Sequence, residues 1–303
     1  MTTCLNPFAL PGRWYRGMFH CHTTESDGGL SVEDAVAWYA DHGYDALAIT
    51  DHNRLTSTRP AAGRAMVLVP GIEVDAGRAR FGEPYHIVGI GLGGMIDLPR
   101  DAASRHALPA QEVVDRLRQA GAVAFVAHPY WSNLVVDDLL PLDGIIGLEV
   151  YNTNVDLDIA KGDGGVHWDD CLTAGKPMFG IANDDTHWRW GDSGRAWTML
   201  RAGALTPDAV VGALRDGAFY ASTGAVLDDV RIDGETVDVH IGAPGAREVR
   251  FMCDARWGKR VLAEDAPVAH ARLTLRGRER FVRIDVVGPS GERAWTNPLF
   301  VGR

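Results

Sequence analysis

SVEDAVAWYADHGYDALAITDH, residues 31–52, contains in one stretch the grammar of the larger part of this chain. Ser31 stands where a helix N-cap belongs, with Asp34 three residues on. Val32, Ala35, Val36 and Tyr39 recur at the spacing of one helical face, which predicts a helix from Ser31 to His42. Gly43 ends it. The β-prone run Ala46 to Thr50 follows and delivers Asp51-His52 at its carboxyl end.

The same unit repeats outward. Helical patterns over Pro109 to Ala120, Val166 to Ala174 and Pro207 to Asp216 each stop at a glycine, namely Gly121, Gly175 and Gly217. Short apolar runs alternate with them: Met18 to Cys21, Met66 to Val69 leading into Gly71-Ile72-Glu73, Ala122 to Ala127 into His128-Pro129, Ile145 to Val150, and Pro177 to Ala182. Strands alternating with helices argue for an α/β barrel or sheet, with chemistry at the carboxyl ends of parallel strands. After about residue 225 the pattern becomes short alternating runs, with Asp233-Gly234 as a hairpin turn and no helix of useful length. The expected division is therefore an α/β unit over residues 1–225 and a small antiparallel β-sandwich-like domain over residues 226–303.

Nine residues able to hold metal punctuate the first part: His20, His22, Asp27, His52, Glu73, His86, His128, Asp185 and His187. Strand alternation sends His20 and His22 to one face and Cys21 to the other, and Asp185 and His187 repeat that spacing. A lone histidine at a strand end is commonly a hydrogen-bonded structural residue; the ordered set reverses that reading. His86 lies inside Tyr85 to Ile90, where it either joins the set or faces outward, and Asp27 is either a ligand or the turn residue before Gly28-Gly29.

The net charge of -10 is spread along the chain and argues against a nucleic-acid polymer as main partner. The ligand set reverses this locally. With three divalent ions its surplus is about +3, and with two ions on Glu73 and Asp185 about +2, a centre that attracts phosphate. Imidazole-rich coordination suits zinc, manganese or iron better than calcium or magnesium. Four scattered cysteines without a CxxC pair read as free thiols, no run approaches a membrane span, and Met1 to Arg16 lacks a secretory pattern, so a cytoplasmic protein is expected.

These residues resemble the PHP (polymerase and histidinol phosphatase) superfamily of metal-dependent phosphoesterases. The resemblance rests on Phe19-His20-Cys21-His22-Thr23 with Ser26-Asp27-Gly28, then Thr50-Asp51-His52-Asn53, Gly71-Ile72-Glu73-Val74, the His86 strand, Ala127-His128-Pro129 and Asp185-Thr186-His187, in the family's order. Phe219 to Gly224, followed by a β domain ending Arg293-Ala294-Trp295-Thr296-Asn297-Pro298, is similar to the carbaryl-hydrolase-like subgroup. The resemblance implies a distorted seven-stranded (β/α) barrel holding two or three divalent ions. His20, His22, Glu73 and Asp185 would hold the first; Glu73 would bridge to a second completed by His86 and His128; Asp27, His52 and His187 would take a third. Asp27 departs from the histidine of many relatives. A hydroxide bridging two ions would attack phosphorus in line, which makes Glu73, Asp185 and His187 the residues closest to the chemistry.

Around this set, Asp51 is expected to orient His52, and Asp184 to support the ligands from behind. Glu149 either lines the pocket or caps its strand. Arg54 and Arg189 either grip a phosphate or are ordinary solvated arginines. Trp131, Trp168, Trp188, Trp190 and Trp197 form an apolar wall at the site or pack the two domains together. His42, His106, His167, His240 and His270 read as surface or packing residues. Three functions compete: hydrolysis of a small phosphomonoester or phosphodiester, nucleotides included; hydrolysis of a carbamate or carboxylic ester by the same centre; and a non-catalytic, metal-stabilised binding protein. Oligomeric state is not legible.

Overall fold

A computed structural model describes residues 5–60, 63, 65–189, 191–254 and 257–301; Cys4 and Trp190 lie outside the described residues. The helix expected from Ser31 to His42 spans Val32–Asp41, with Ser31 Oγ accepting from the Asp34 amide at 3.1 Å. Its buried residues are Ala35, Val36 and Tyr39, and Gly43 follows in the left-handed region at φ 76°. Ala110–Gln119 buries Ala110, Val113, Val114 and Leu117, one face at helical spacing. Leu117 seats closely because Gly89 beneath it has no side chain: a Cβ there would lie 2.5 Å from Leu117 Cδ2. Burying such a leucine contributes about 1.5–3 kcal/mol. Gly165–Thr173 and Pro207–Asp216 complete the expected helices. Ala102–Ala107, Val136–Leu139 and Thr153–Ile159 were not expected, being too short for a periodic signal.

One sheet orders Gly71–Ala76, Tyr85–Ile90, Val123–Val126, Gly147–Asn152 and Phe179–Asn183. Its first two pairings are antiparallel and its last two parallel, so the α/β fold is mixed rather than all-parallel. The cause is local. Gly77 to Pro84 is too short for a crossover helix, so Tyr85–Ile90 must return antiparallel. Its beginning, where His86 sits, therefore meets the ends of its neighbours. A second sheet runs Trp197–Ala202, Arg13–Met18, Ala46–Leu47, Val67–Leu68. The two touch where the expected ligands lie: the Asp185 amide donates to the His20 carbonyl at 3.0 Å, the His22 amide to the Thr186 carbonyl at 3.1 Å, and the Asn53 amide to the Glu73 carbonyl at 2.7 Å.

Beyond residue 226 the described residues hold strands and no helix. Leu227–Asp233, Thr236–Ile241 and His270–Thr274 make a three-stranded sheet, the first two joined across Gly234 at φ 56°. The remaining strands instead extend the second sheet, because Arg293–Thr296 pairs with Phe219–Ser222. Val230, Val239, Phe251 and Ile284 fill the space between. Hydrogen bonding thus crosses the expected boundary, and buried Arg283 reaches Asp169 of Gly165–Thr173 at 2.6 Å.

Among the described residues no helix is long and apolar enough to cross a membrane. Cys21, Cys171 and Cys253 are buried free thiols.

Candidate metal centre

His20 and His22 leave the strand Arg13–Met18 fully buried, with Cys21 turned into the core beside Met18 and Tyr39, as alternation requires. Glu73 occupies the middle of Gly71–Ala76 rather than the end of the preceding run, and crosses to the same point. Asp185 and His187 follow Phe179–Asn183. His128 at φ 24°, Asp185 at φ 53°, Asn53 beside His52 at φ 56° and Trp188 beside His187 at φ 64° are left-handed non-glycine residues. Such strain persists only where the surroundings over-determine it. Here all four lie at or beside expected ligands, where the chain leaves the strand region.

Four atoms define the floor. His20 Nε2 lies 3.2 Å from Glu73 Oε2 and 3.2 Å from Asp185 Oδ1, while His22 Nε2 lies 3.2 and 3.0 Å from the same two oxygens. All four are buried without a hydrogen-bond partner, half of the eight such atoms among the described residues. Four donors about 2.0 Å from a zinc-like cation stand about 3.3 Å apart, so the spacing fits a tetrahedral ion. Buried polar atoms are rarely left unpaired, and a cation satisfies all four at once.

Glu73 faces two ways. Its Oε1 is 2.8 Å from His86 Nδ1 and 3.4 Å from His128 Nε2, so one carboxylate joins two groups of donors. His52 lies between the floor and Asp27, with Nδ1 at 3.0 Å from Glu73 Oε2 and Nε2 at 3.7 Å from Asp27 Oδ1. Asp27, half exposed, also lies 3.3 Å from His187 Nε2. All nine expected ligands are thus in one place, and ligand atoms fall into overlapping clusters around Glu73, Asp185 and Asp27.

Electrostatics agree with a cation site. Burial opposes a charge on His22, yet the close carboxylates of Asp185 and Glu73 outweigh it and raise it to about 9. Burial likewise opposes charging His20, and Asp185, Glu73 and Glu149 raise it well above the ordinary value. For Glu73 and Asp185 burial works against ionisation, but the imidazoles, His20 first, hold both below the carboxylate range. Without cations the carboxylates favour protons on His20 and His22, which a metal would displace.

Glu149 orients the floor. Its Oε1 is 2.9 Å from His20 Nδ1 and accepts from Asn183 Nδ2, while Oε2 accepts from the His128 amide and Asn152 Nδ2. This is the carboxylate–histidine pairing that fixes a ligating ring. Asn152 also donates to Asp185 Oδ2 at 3.1 Å, and Ser132 Oγ sits 3.2 Å from His128 Nδ1. Ser132 escaped sequence reading; its spacing of four from His128 was the available signal. Asp51 serves different neighbours from the one expected: it accepts from Thr23, Ser26 and Thr56, bracing the loop that carries Asp27. Asp184 points away from the ligands and accepts from the amides of Gly194, Arg195 and Ala196, from Tyr39 and from Thr153. Burial raises it to about 6.

Above the floor opens a cavity of about 300 Å³ whose lining includes Trp131, Asn154, Asp158 and Arg189. Trp131 meets His86 and His128 edge-on, at 5.6 and 5.0 Å. Three others are elsewhere: Trp168 is core, Trp188 packs on Trp38 and Tyr39, and Trp197 lies under Arg16. Arg54 pairs with Glu25 at 2.6 Å and is not among the lining residues, whereas Arg189 lines the cavity and donates to the Asp27 carbonyl at 2.7 Å. His106, read as a surface or packing residue, touches Asp75 at 2.6 Å. Asp75 itself was overlooked.

A two-domain protein of Bacteroides vulgatus containing a predicted PHP-like metal-dependent phosphoesterase superposes with a TM-score of 0.53 over 97% of this chain and 98% of its own, at 16% identity. That likeness is one of fold alone. A 5'-3' exoribonuclease Rnm of Escherichia coli is 32% identical over 111 residues, 33% of this chain and 37% of the relative. The phosphoribosyl 1,2-cyclic phosphate 1,2-diphosphodiesterase of Eggerthella lenta is 38% identical over 77 residues, 24% of this chain and 29% of the relative. The matches span about a third of the length of these curated relatives. No family model matches the chain.

Proposed function

We propose that this chain is a multinuclear metal-dependent hydrolase of PHP type, a phosphoesterase acting on a small phosphomonoester or phosphodiester. The observation that carries this reading is the convergence of four unpartnered buried atoms, from His20, His22, Glu73 and Asp185, beneath an open cavity. On this reading the two sheets are the distorted barrel expected from the sequence, and residues 226–303 are its β module. His20, His22, Glu73 and Asp185 hold one ion, Glu73, His86 and His128 a second, and Asp27, His52 and His187 a third, with zinc, manganese or iron suited to the donors. Bound ions supply Lewis acidity and a nucleophile from water. The chain's own residues do the rest. Glu149 keeps the His20 ring in register. Arg189 presents a cation to a phosphate oxygen. The His187 Nδ1 is held 2.9 Å from the Asp185 carbonyl, so with two ions bound its Nε2 is left to hold or accept a proton at the cavity. The buried free thiols support a reducing compartment such as the cytoplasm.

A second reading, hydrolysis of a carbamate or carboxylic ester, is favoured by Trp131, which offers an apolar wall beside His86 and His128 and accords with the carbaryl-hydrolase-like resemblance. Elemental analysis of purified protein, combined with assays on 4-nitrophenyl phosphate, bis(4-nitrophenyl) phosphate, nucleotides and a naphthyl carbamate, separates the two. Phosphate ester turnover that depends on bound metal is expected. Turnover of the carbamate alone overturns the phosphoesterase reading.

A further inference from the structure

A second cavity of about 530 Å³ adjoins the first, and His52 lines both. Its walls are Asn53, the segment Met95 to Arg100, and Arg105. We infer that this lobe is a substrate subsite that takes the second ester substituent of a phosphodiester. The inference rests on the phosphoesterase reading above.

The lobe is built from inside the protein. Arg105, only 9% exposed, forks onto Asp75 at 3.2 and 3.3 Å and donates through Nη1 to the carbonyls of Pro99 and Arg100 at 3.3 and 2.7 Å. Asp75 also accepts from Asn53 Nδ2 and meets His106. Asn53 in turn donates its amide to the Glu73 carbonyl at 2.7 Å. One continuous set of bonds therefore runs from the loop backbone to the residue beside His52, and fixes the outer wall relative to the ligands. Ile96, buried, anchors the loop from below, while Met95, half exposed, stands with Leu98 and Pro99 on the wall.

The chemistry of the walls selects the occupant. The charged oxygens of a monoester are served by the ligand floor and Arg189, gain nothing from Met95, Leu98 and Pro99, and are repelled by Asp97 on the same wall more than the singly charged diester is. A diester carries two substituents on phosphorus, and in-line displacement must house both. The Trp131 cavity takes one and the Met95 to Arg100 lobe takes the other. Arg100, exposed on the rim, meets the anionic diester as it approaches.

Met95→Trp fills the lobe from an exposed position, so the fold is spared; Arg100→Ala removes the rim cation. On metal-loaded protein, Met95→Trp is expected to lower kcat/KM for bis(4-nitrophenyl) phosphate about tenfold through KM and to leave 4-nitrophenyl phosphate within about twofold. Arg100→Ala is expected to weaken the diester's KM and its salt dependence. Equal losses on both substrates with Met95→Trp, or none on either, overturn the subsite. Calorimetric binding of bis(4-nitrophenyl) phosphate keeps the two readings apart. If no phosphate ester turns over but Met95→Trp still weakens diester binding about tenfold, the phosphoesterase reading falls and the subsite stands. Diester binding that is absent in the parent protein, or untouched by Met95→Trp, sinks the subsite in either case.

Discussion

Glu149 Oε1 stands 2.9 Å from Nδ1 of His20, both side chains fully buried, so the carboxylate fixes which ring nitrogen is free to face the floor of the cavity. Replacing it by glutamine keeps the shape and removes the charge. Glu149→Gln is expected to weaken the tightest-bound ion about 10–100-fold, read as the chelator concentration needed to strip it. An unchanged chelator titration would remove Glu149 from the site's design.

Glu73 touches both donor groups, through Oε2 to His20 and His22 and through Oε1 to His86 and His128. An amide offers one oxygen and a nitrogen that cannot accept, so Glu73→Gln cannot serve both. We expect the loss of at least one metal equivalent by elemental analysis and abolished hydrolysis. Retention of both metal content and rate would refute the bridging role.

Metal binding should release protons. Burial disfavours charge on His22, but Asp185 and Glu73 raise it to about 9 without metal, so at pH 7 the ring is protonated and must lose that proton to bind. The sign follows: affinity rises with pH up to about 9 and levels off above it. Titration calorimetry in buffers of different ionisation enthalpy counts the protons. No release at pH 7 would contradict the electrostatic account.

Gly28 lies against the backbone of His22, where an added Cβ would be 2.5 Å from the carbonyl oxygen and 2.6 Å from its carbon. Gly28→Ala must therefore push the Asp27 loop outward, at a cost of about 1–3 kcal/mol. The ion shared by Asp27, His52 and His187 should be lost at lower chelator than the others. Parent-like stability and stoichiometry would show that the loop adapts freely.

Away from the site, Glu248 accepts from Arg250 and Arg260, and those bonds, Arg250 first, lower it from 4.5 to about 2. A depressed carboxylate stabilises the fold above its unfolded value, and that contribution is lost as pH falls through the folded one. With both arginines partly exposed, about 1–2 kcal/mol is expected. Glu248→Gln should be less stable than the parent at pH 7 in urea unfolding, with the gap closing between pH 4.5 and 2. A gap that persists at pH 2 would assign the effect to shape instead of charge.

Local rules carried much of this molecule. Helical faces such as Ala110, Val113, Val114 and Leu117, the cap at Ser31 and the stops at Gly43 and Gly217 depend on near neighbours, and they stand as read. The opposed faces of His20 and Cys21 follow from strand parity alone. Where reading and structure part, a distant partner decided. Asp51 and His52 are adjacent in sequence, yet Asp51 turns to Thr23, Ser26 and Thr56. Asp184 and Asp185 look alike, yet three amides beyond Gly194 claim the first. Trp168 and Trp131 are the same residue type, and only packing puts one in the core and the other at the cavity.

The sequence by itself determined the four longer helices, the turn from α/β to β grammar near residue 225 and the nine side chains that gather at one point, because periodicity, capping and residue chemistry act over a few positions. Tertiary structure alone decided that Tyr85–Ile90 runs backwards and so brings His86 to the other ligands, and that Glu149 reaches His20 from 129 residues away. It also decided that Arg105, held by Asp75, lines a second cavity beside His52. Those relations depend on which strand ends are brought together in space, and no local pattern encodes a distance between segments that meet only when the chain has folded.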